Sequence, residues 1–195
     1  MKNMIFTFIF VIVTGLFYLK VNAQEFEGYV LYNKLSEYTA YLIDKDCNIA
    51  HSWSCDLMCN YSVYLLENGN LMRGGIYSNN QLNGGAVSGI VQEINPDGET
   101  VWEFVYSTAE YCSHHDIQPL PNGNVLLGAW EVKSINEAMQ AGYAEYDGLW
   151  PFHIIEVEPV GTNQGNIVWE WHIWDHLIHD HDPAMDNYGV VADHP

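Results

Sequence analysis

Histidine carries the densest chemistry in this sequence. His114-His115-Asp116 sets two imidazoles beside a carboxylate. A neutral imidazole is a nucleophile or general base near pH 7, and a neighbouring carboxylate can fix its tautomer. The triplet opens a segment that reads as a strand. Successive strand residues point to opposite faces, so only one of His114 and His115 is expected to face a central cavity. Asp116 is the expected orienting partner of an imidazole. Hydrogen bonding of both rings to loop backbone accounts for the pair without chemistry.

A second cluster, Trp171 to Asp182, holds four histidines and three aspartates. His172 and His176 are four apart, which on a helix would put both on one face as a zinc site requires. The glutamate of an H-E-x-x-H motif is missing and the segment follows a strand, so no metal is assigned. His179, Asp180, His181 and Asp182 read as a solvated acidic loop. Cys55-x-x-x-Cys59 lacks a second ligand pair at finger-like spacing, so a disulfide or free thiols are expected rather than zinc. No phosphate-binding glycine loop, G-x-S-x-G elbow or Ser/His/Asp framework is present. No cofactor is expected.

Charge narrows the partners. With 25 acidic against 6 basic side chains and a net charge of −19, the surface suits neither nucleic acid nor an anionic membrane. The hydrophobic fraction of 48% is ample for a packed core. At the N-terminus, Lys2 precedes an apolar run from Met4 to Leu19, too short to span a bilayer comfortably at roughly 20 residues. Val21-Asn22-Ala23 follows as a small-residue cleavage site. This reads as a secretory signal over 1–23, which places the mature domain, 24–195, outside the cytoplasm, secreted or periplasmic.

The elements that must hold the histidines repeat along the chain. One kind of hairpin ends in tryptophan: Tyr41 to Trp53, Val91 to Trp102, and Ile154 to Trp169. The other turns on Asn-Gly-Asn, at Asn68-Gly69-Asn70 and Asn122-Gly123-Asn124. Asp97-Gly98 marks a tight turn within the second tryptophan hairpin, glycine supplying the positive φ. Two alternating hairpins per unit, recurring about every 50 residues, match the four-stranded blade of a β-propeller. The expected architecture is all-β: a partial β-propeller of about three blades of four-stranded antiparallel sheet, a fragment of a longer propeller. A β-sandwich built from the same hairpins does not explain the alternation. Helix is scarce; Ser134 to Ala141 reads as one short helix, with Ser134 and Glu137 forming a capping box.

On the tryptophan hairpins, Val63 to Leu71, the His114-His115-Asp116-Ile117 to Asn124 stretch, Trp169 to Ile178 and Gly189 to Pro195, the chain resembles the aryl-sulfate sulfotransferase family. These are exported bacterial enzymes that do not use the nucleotide sulfate donor. The resemblance implies a β-propeller that moves a sulfuryl group from a phenolic sulfate ester to a phenolic acceptor through a sulfated histidine at the central channel. It places His115, and with it His114 and Asp116, in the channel-lining set. It also places further active-site histidines and an arginine in later blades beyond Pro195, since Arg73 is the sole arginine here. The expectation is therefore a family member whose activity belongs to the longer protein. The rival reading is a secreted propeller that binds carbohydrate or protein through Trp130, Trp150 and Trp174. A metal-dependent hydrolase stands third.

Overall fold

The computed structural model describes residues 27–144 and 148–194. The expected signal, 1–23, lies outside them. The first sheet contains β1 (Val30–Asn33), β2 (Thr39–Ile43) and β3 (Ile49–Ser54). The second contains β4 (Cys59–Leu65), β5 (Leu71–Ile76), β6 (Gly89–Ile94) and β7 (Thr100–Val105). The third contains β8 (Tyr111–Pro119), β9 (Val125–Glu131), β10 (Phe152–Val160) and β11 (Gln164–His172). Every neighbouring pair is antiparallel and sequential, and no sheet closes on itself. The molecule is all-β, with a first sheet of three strands instead of four. In both four-stranded sheets the Asn-Gly-Asn hairpin comes first and the tryptophan hairpin completes it.

The turns share one construction. Gly69 N–H bonds Leu66 O, Gly98 N–H bonds Asn95 O, and Gly123 N–H bonds Leu120 O. Each glycine takes the left-handed conformation, at φ 85°, 88° and 89°, where a Cβ is costly. Cys47 fills the same place in the β2–β3 turn at φ 63°, with its N–H on Asp44 O.

The asparagines do more than turn the chain. Asn68 and Asn70 both donate to Glu93 Oε1, at 3.2 and 2.6 Å. Asn122 and Asn124 donate to Glu156 Oε1 at 3.1 and 2.6 Å. Each turn is thereby tied to the third strand of its own sheet.

Two cores form between sheets. Trp53, Ala40, Leu71 and Ile94 meet between the first and second. Trp102, Met72, Val91, Val125, Ile155 and Val157 meet between the second and third, and Trp102 Nε1 donates to Gln164 O at 2.8 Å. Trp53 and Trp102 each pack forward onto the next sheet. Trp169, which ends the third hairpin, is 48% exposed.

One helix, α1 (Ile135–Gln140), carries the expected Ser134–Glu137 capping box. Among the described residues no helix is long and apolar enough to cross a membrane.

Candidate functional site

The first strands of the three sheets, β1, β4 and β8, lie side by side, so what β8 presents is flanked by β4. Both strands break register at matching places. Pairing of β4 with β5 jumps from Cys59 to Val63, and pairing of β8 with β9 jumps from Ser113 to Ile117. The interrupted tripeptides, Asn60-Tyr61-Ser62 and His114-His115-Asp116, stand at equivalent positions in the repeat. They also meet in space. Ser62 Oγ donates to His115 O at 3.1 Å, and the Tyr61 and His115 rings stack at 5.9 Å.

This bulge overturns the expectation that His114 and His115 diverge. His115 adopts φ 56°, which breaks the alternation and brings both rings to one side. Their Nδ1 atoms are 2.7 Å apart and the rings are perpendicular. One Nδ1 carries the shared proton and the other accepts it. His114 is buried, stacked on Trp130 at 4.1 Å and edge-on to Phe152 at 5.5 Å. Burial, helped by the neighbouring His115, pulls its pKa down to about 4, so it is neutral at pH 7. Its Nε2 is buried with no hydrogen-bond partner. His115 is exposed.

Loop 77–88 backs the pair. Ala86 O accepts from His115 N–H at 2.9 Å and from Asn60 Nδ2 at 3.3 Å. Gly84 lies so close to Trp130 that a Cβ there would sit 2.5 Å from the indole. Trp130 in turn contacts Trp150, which is 42% exposed. Trp150, Trp130, His114, His115 and Tyr61 thus form one continuous row of rings.

Asp116 does not orient an imidazole. Its Oδ1 accepts from its own Ile117 N–H at 2.8 Å. Its charge faces Tyr64, whose pKa is raised by burial first and by Asp116 next. It lines a groove of about 380 Å³ with Asn33, Tyr61 and Tyr64.

The sequence reading missed a second constellation. Tyr106 Oη lies 3.0 Å from His153 Nε2, and His153 stacks face to face on His172 at 4.9 Å. Glu131 contacts His172 Nδ1 at 3.2 Å and Lys133 at 2.9 Å. Burial and then the His172 charge bring the His153 pKa to about 4. Burial raises that of Tyr106, keeping it a phenol. The group borders a cleft of about 330 Å³. Of its residues only His172 stood out in the sequence; His153 sits between the apolar Phe152 and Ile154 with no motif around it.

His172 and His176 are not brought together. His172 ends β11, while His176 closes a 3₁₀ turn and stacks on Trp171 at 5.0 Å. Among the described residues no histidine, cysteine or acid cluster could hold a metal. His179 is not merely solvated: its Nε2 contacts Asp186 O at 2.8 Å and its ring packs against Gly142. Arg73 is buried and spent on Gln92, Leu57 and Met58. Trp174 lies under Lys133. A hollow of about 650 Å³ between α1 and residues 174–187 is lined by no imidazole, thiol or hydroxyl.

Neither a protein-family model nor a curated protein matches the chain. Among solved structures, a protein of unknown function from Bacteroides caccae, determined at 1.35 Å, aligns at 17% identity with a TM-score of 0.45. The alignment covers 74% of this chain and 40% of that one.

Proposed function

We propose that the His114–His115 pair transfers a sulfuryl group between phenols, in an exported β-propeller of which the three sheets are successive blades. The observation that carries this reading is the 2.7 Å Nδ1–Nδ1 contact between a buried, neutral His114 and an exposed His115, set within a row of aromatic rings. With the shared proton on His115 Nδ1, the lone pair of His115 Nε2 is free to attack. His114 then plays the orienting part expected of Asp116.

In the first half-reaction His115 Nε2 bonds to sulfur, the ester S–O bond breaks, and the donor leaves as a phenolate. In the second, an acceptor phenol passes its proton, through water, to the phenolate released in the first. Its oxygen bonds to sulfur, and the N–S bond breaks to restore the lone pair of His115 Nε2. Tyr61, Trp130 and Trp150 offer flat apolar surfaces for the donor and acceptor rings. Arg73 and Lys133 are committed elsewhere, so the cations that the resemblance implies for the sulfate oxygens do not come from these two residues.

The test uses the full-length protein with 4-nitrophenyl sulfate and phenol. Release of 4-nitrophenolate, a sulfated peptide containing His115 when phenol is omitted, and loss of both in His115→Asn are expected. No turnover by the folded protein removes the enzyme reading. The second reading, a module that binds aromatic or carbohydrate ligands, is favoured by the exposure of Tyr61 and Trp150. It requires ligand binding that survives His115→Asn.

A further inference from the structure

We propose that Cys55 and Cys59 are an oxidisable dithiol, which peroxide converts into a disulfide closing the crossover from the first sheet to the second. This inference is independent of the sulfuryl-transfer reading. All four cysteines carry free thiols, but only this pair is built as a unit. Cys55 follows β3 and Cys59 opens β4. Their amides bond neighbouring carbonyls of one turn, Cys55 N–H to Tyr38 O and Cys59 N–H to Glu37 O, both at 2.7 Å. Both side chains are buried in the same small core.

The surroundings of the Cys59 sulfur are those of an anion site. The Cys55 thiol, the Arg73 guanidinium and the Asn33 carboxamide all face it. The Cys55 thiol, then Arg73, lowers the Cys59 pKa against the opposing cost of burial, while that of Cys55 is raised. Arg73 is buried, and its hydrogen bonds go to three neutral acceptors: Gln92 Oε1 at 2.8 Å, and the Leu57 and Met58 carbonyls at 2.9 Å. Asp56 and Glu103 reach the guanidinium only through Gln92, whose Nε2 donates to both at 3.3 and 3.1 Å, and a thiolate on Cys59 adds a counter-charge to this buried cation. The same guanidinium holds the loop between the two cysteines. Cys112, buried without a cation beside it, has its pKa raised by that burial.

Cys59 is fully buried, so a small oxidant is required. Asn33, whose carboxamide donates to the carbonyl of Asn60 next to Cys59, also lines the 380 Å³ groove beside Tyr61, which gives peroxide an approach. The Cys59 thiolate bonds to one peroxide oxygen, the O–O bond breaks, and hydroxide leaves, giving a sulfenic acid. The Cys55 sulfur then attacks Cys59, the S–O bond breaks, and the departing hydroxide takes the Cys55 proton as water. Two electrons pass from the thiol pair to the peroxide.

The experiment exposes reduced, folded protein to rising hydrogen peroxide, quenches it, and unfolds it in iodoacetamide before peptide mass spectrometry. The expected product is a peptide two hydrogens lighter that links Cys55 to Cys59 and forms before Cys47 or Cys112 is modified. Cys55→Ser should stop at a dimedone-trappable sulfenic acid on Cys59. Asn33→Ala, which removes the hydrogen bond to Asn60 O but keeps Arg73, should slow oxidation several-fold at an unfolding midpoint close to that of the parent. Alkylation of both Cys55 and Cys59 at a peroxide level that already oxidises Cys47 overturns the proposal. So does dimedone labelling of Cys55→Ser at Cys47 in preference to Cys59.

Discussion

Two histidines, His114 and His153, are neutral because the fold buries them. Each has its pKa lowered to about 4, by burial first and by a neighbouring imidazole next. The unfolded value is about 6.5. Between those values the unfolded chain binds protons that the native state excludes, so the stabilisation is complete above pH 6.5 and is lost as pH falls toward 4. The depressed carboxylates Glu131, Glu137 and Glu156 add their own losses only below about pH 4.5. Urea midpoints measured from pH 7 to 4.5 therefore report the histidines together with Cys59, whose depressed thiol pKa gives up its own share in the same window, and the comparison with a histidine variant separates them. We expect a loss on the order of 2 kcal/mol per histidine across that window, and a shallower pH dependence in His153→Gln. An unchanged pH dependence in that variant would show that His153 is not the titrating group. The residue types at 114–116 were legible as chemistry, but their roles were not. Asp116 spends its carboxylate on its own strand, and His114 takes the orienting position.

At the scale of the element, the turns were legible because they follow from four or five consecutive residues. Gly69, Gly98 and Gly123 occupy the left-handed position that the hairpins demand. Cys47 occupies that position without glycine's freedom, at φ 63°. Cys47→Gly should accordingly raise stability by about 0.5–1 kcal/mol, read as a higher urea midpoint with unchanged slope. A lower midpoint would mean that the Cys47 side chain makes a compensating contact. The glutamate clamps were hidden, because Glu93 and Glu156 come from strands that the turns do not adjoin in sequence. Hidden for the same reason was the bulge. Nothing local in His114-His115-Asp116 announces that β8 leaves its ladder there; the break is set by β9 on one side and by β4 with loop 77–88 on the other.

For the whole molecule, stability rests on contacts between successive sheets. Trp53 and Trp102 are 2% and 3% exposed, so Trp53→Ala or Trp102→Ala should cost about 3–5 kcal/mol. Trp169→Ala, at an exposed site, should cost under about 1 kcal/mol. Urea unfolding of the three variants checks the order. Equal losses at all three positions would mean that Trp169 is covered in solution. The repeat made this arrangement readable in outline, since the same two hairpins recur and each tryptophan ends its own. The number of strands in the first sheet did not follow from it, because β1 belongs to neither hairpin type.

The sequence by itself determined the hairpins, their turns, the capped helix and the alternation that makes the chain all-β. These depend on period-two patterning and on residues within one turn of each other, where backbone sterics decide. Tertiary structure alone decided which side chains meet: His115 with His114 and Tyr61, His153 with Tyr106, and Cys59 with Arg73. The His115–Tyr61 and His153–Tyr106 meetings join strands far apart in the chain, and the His114–His115 contact depends on a bulge set by the neighbouring strands. The chemistry of all of them comes from burial, which no short run of residues specifies.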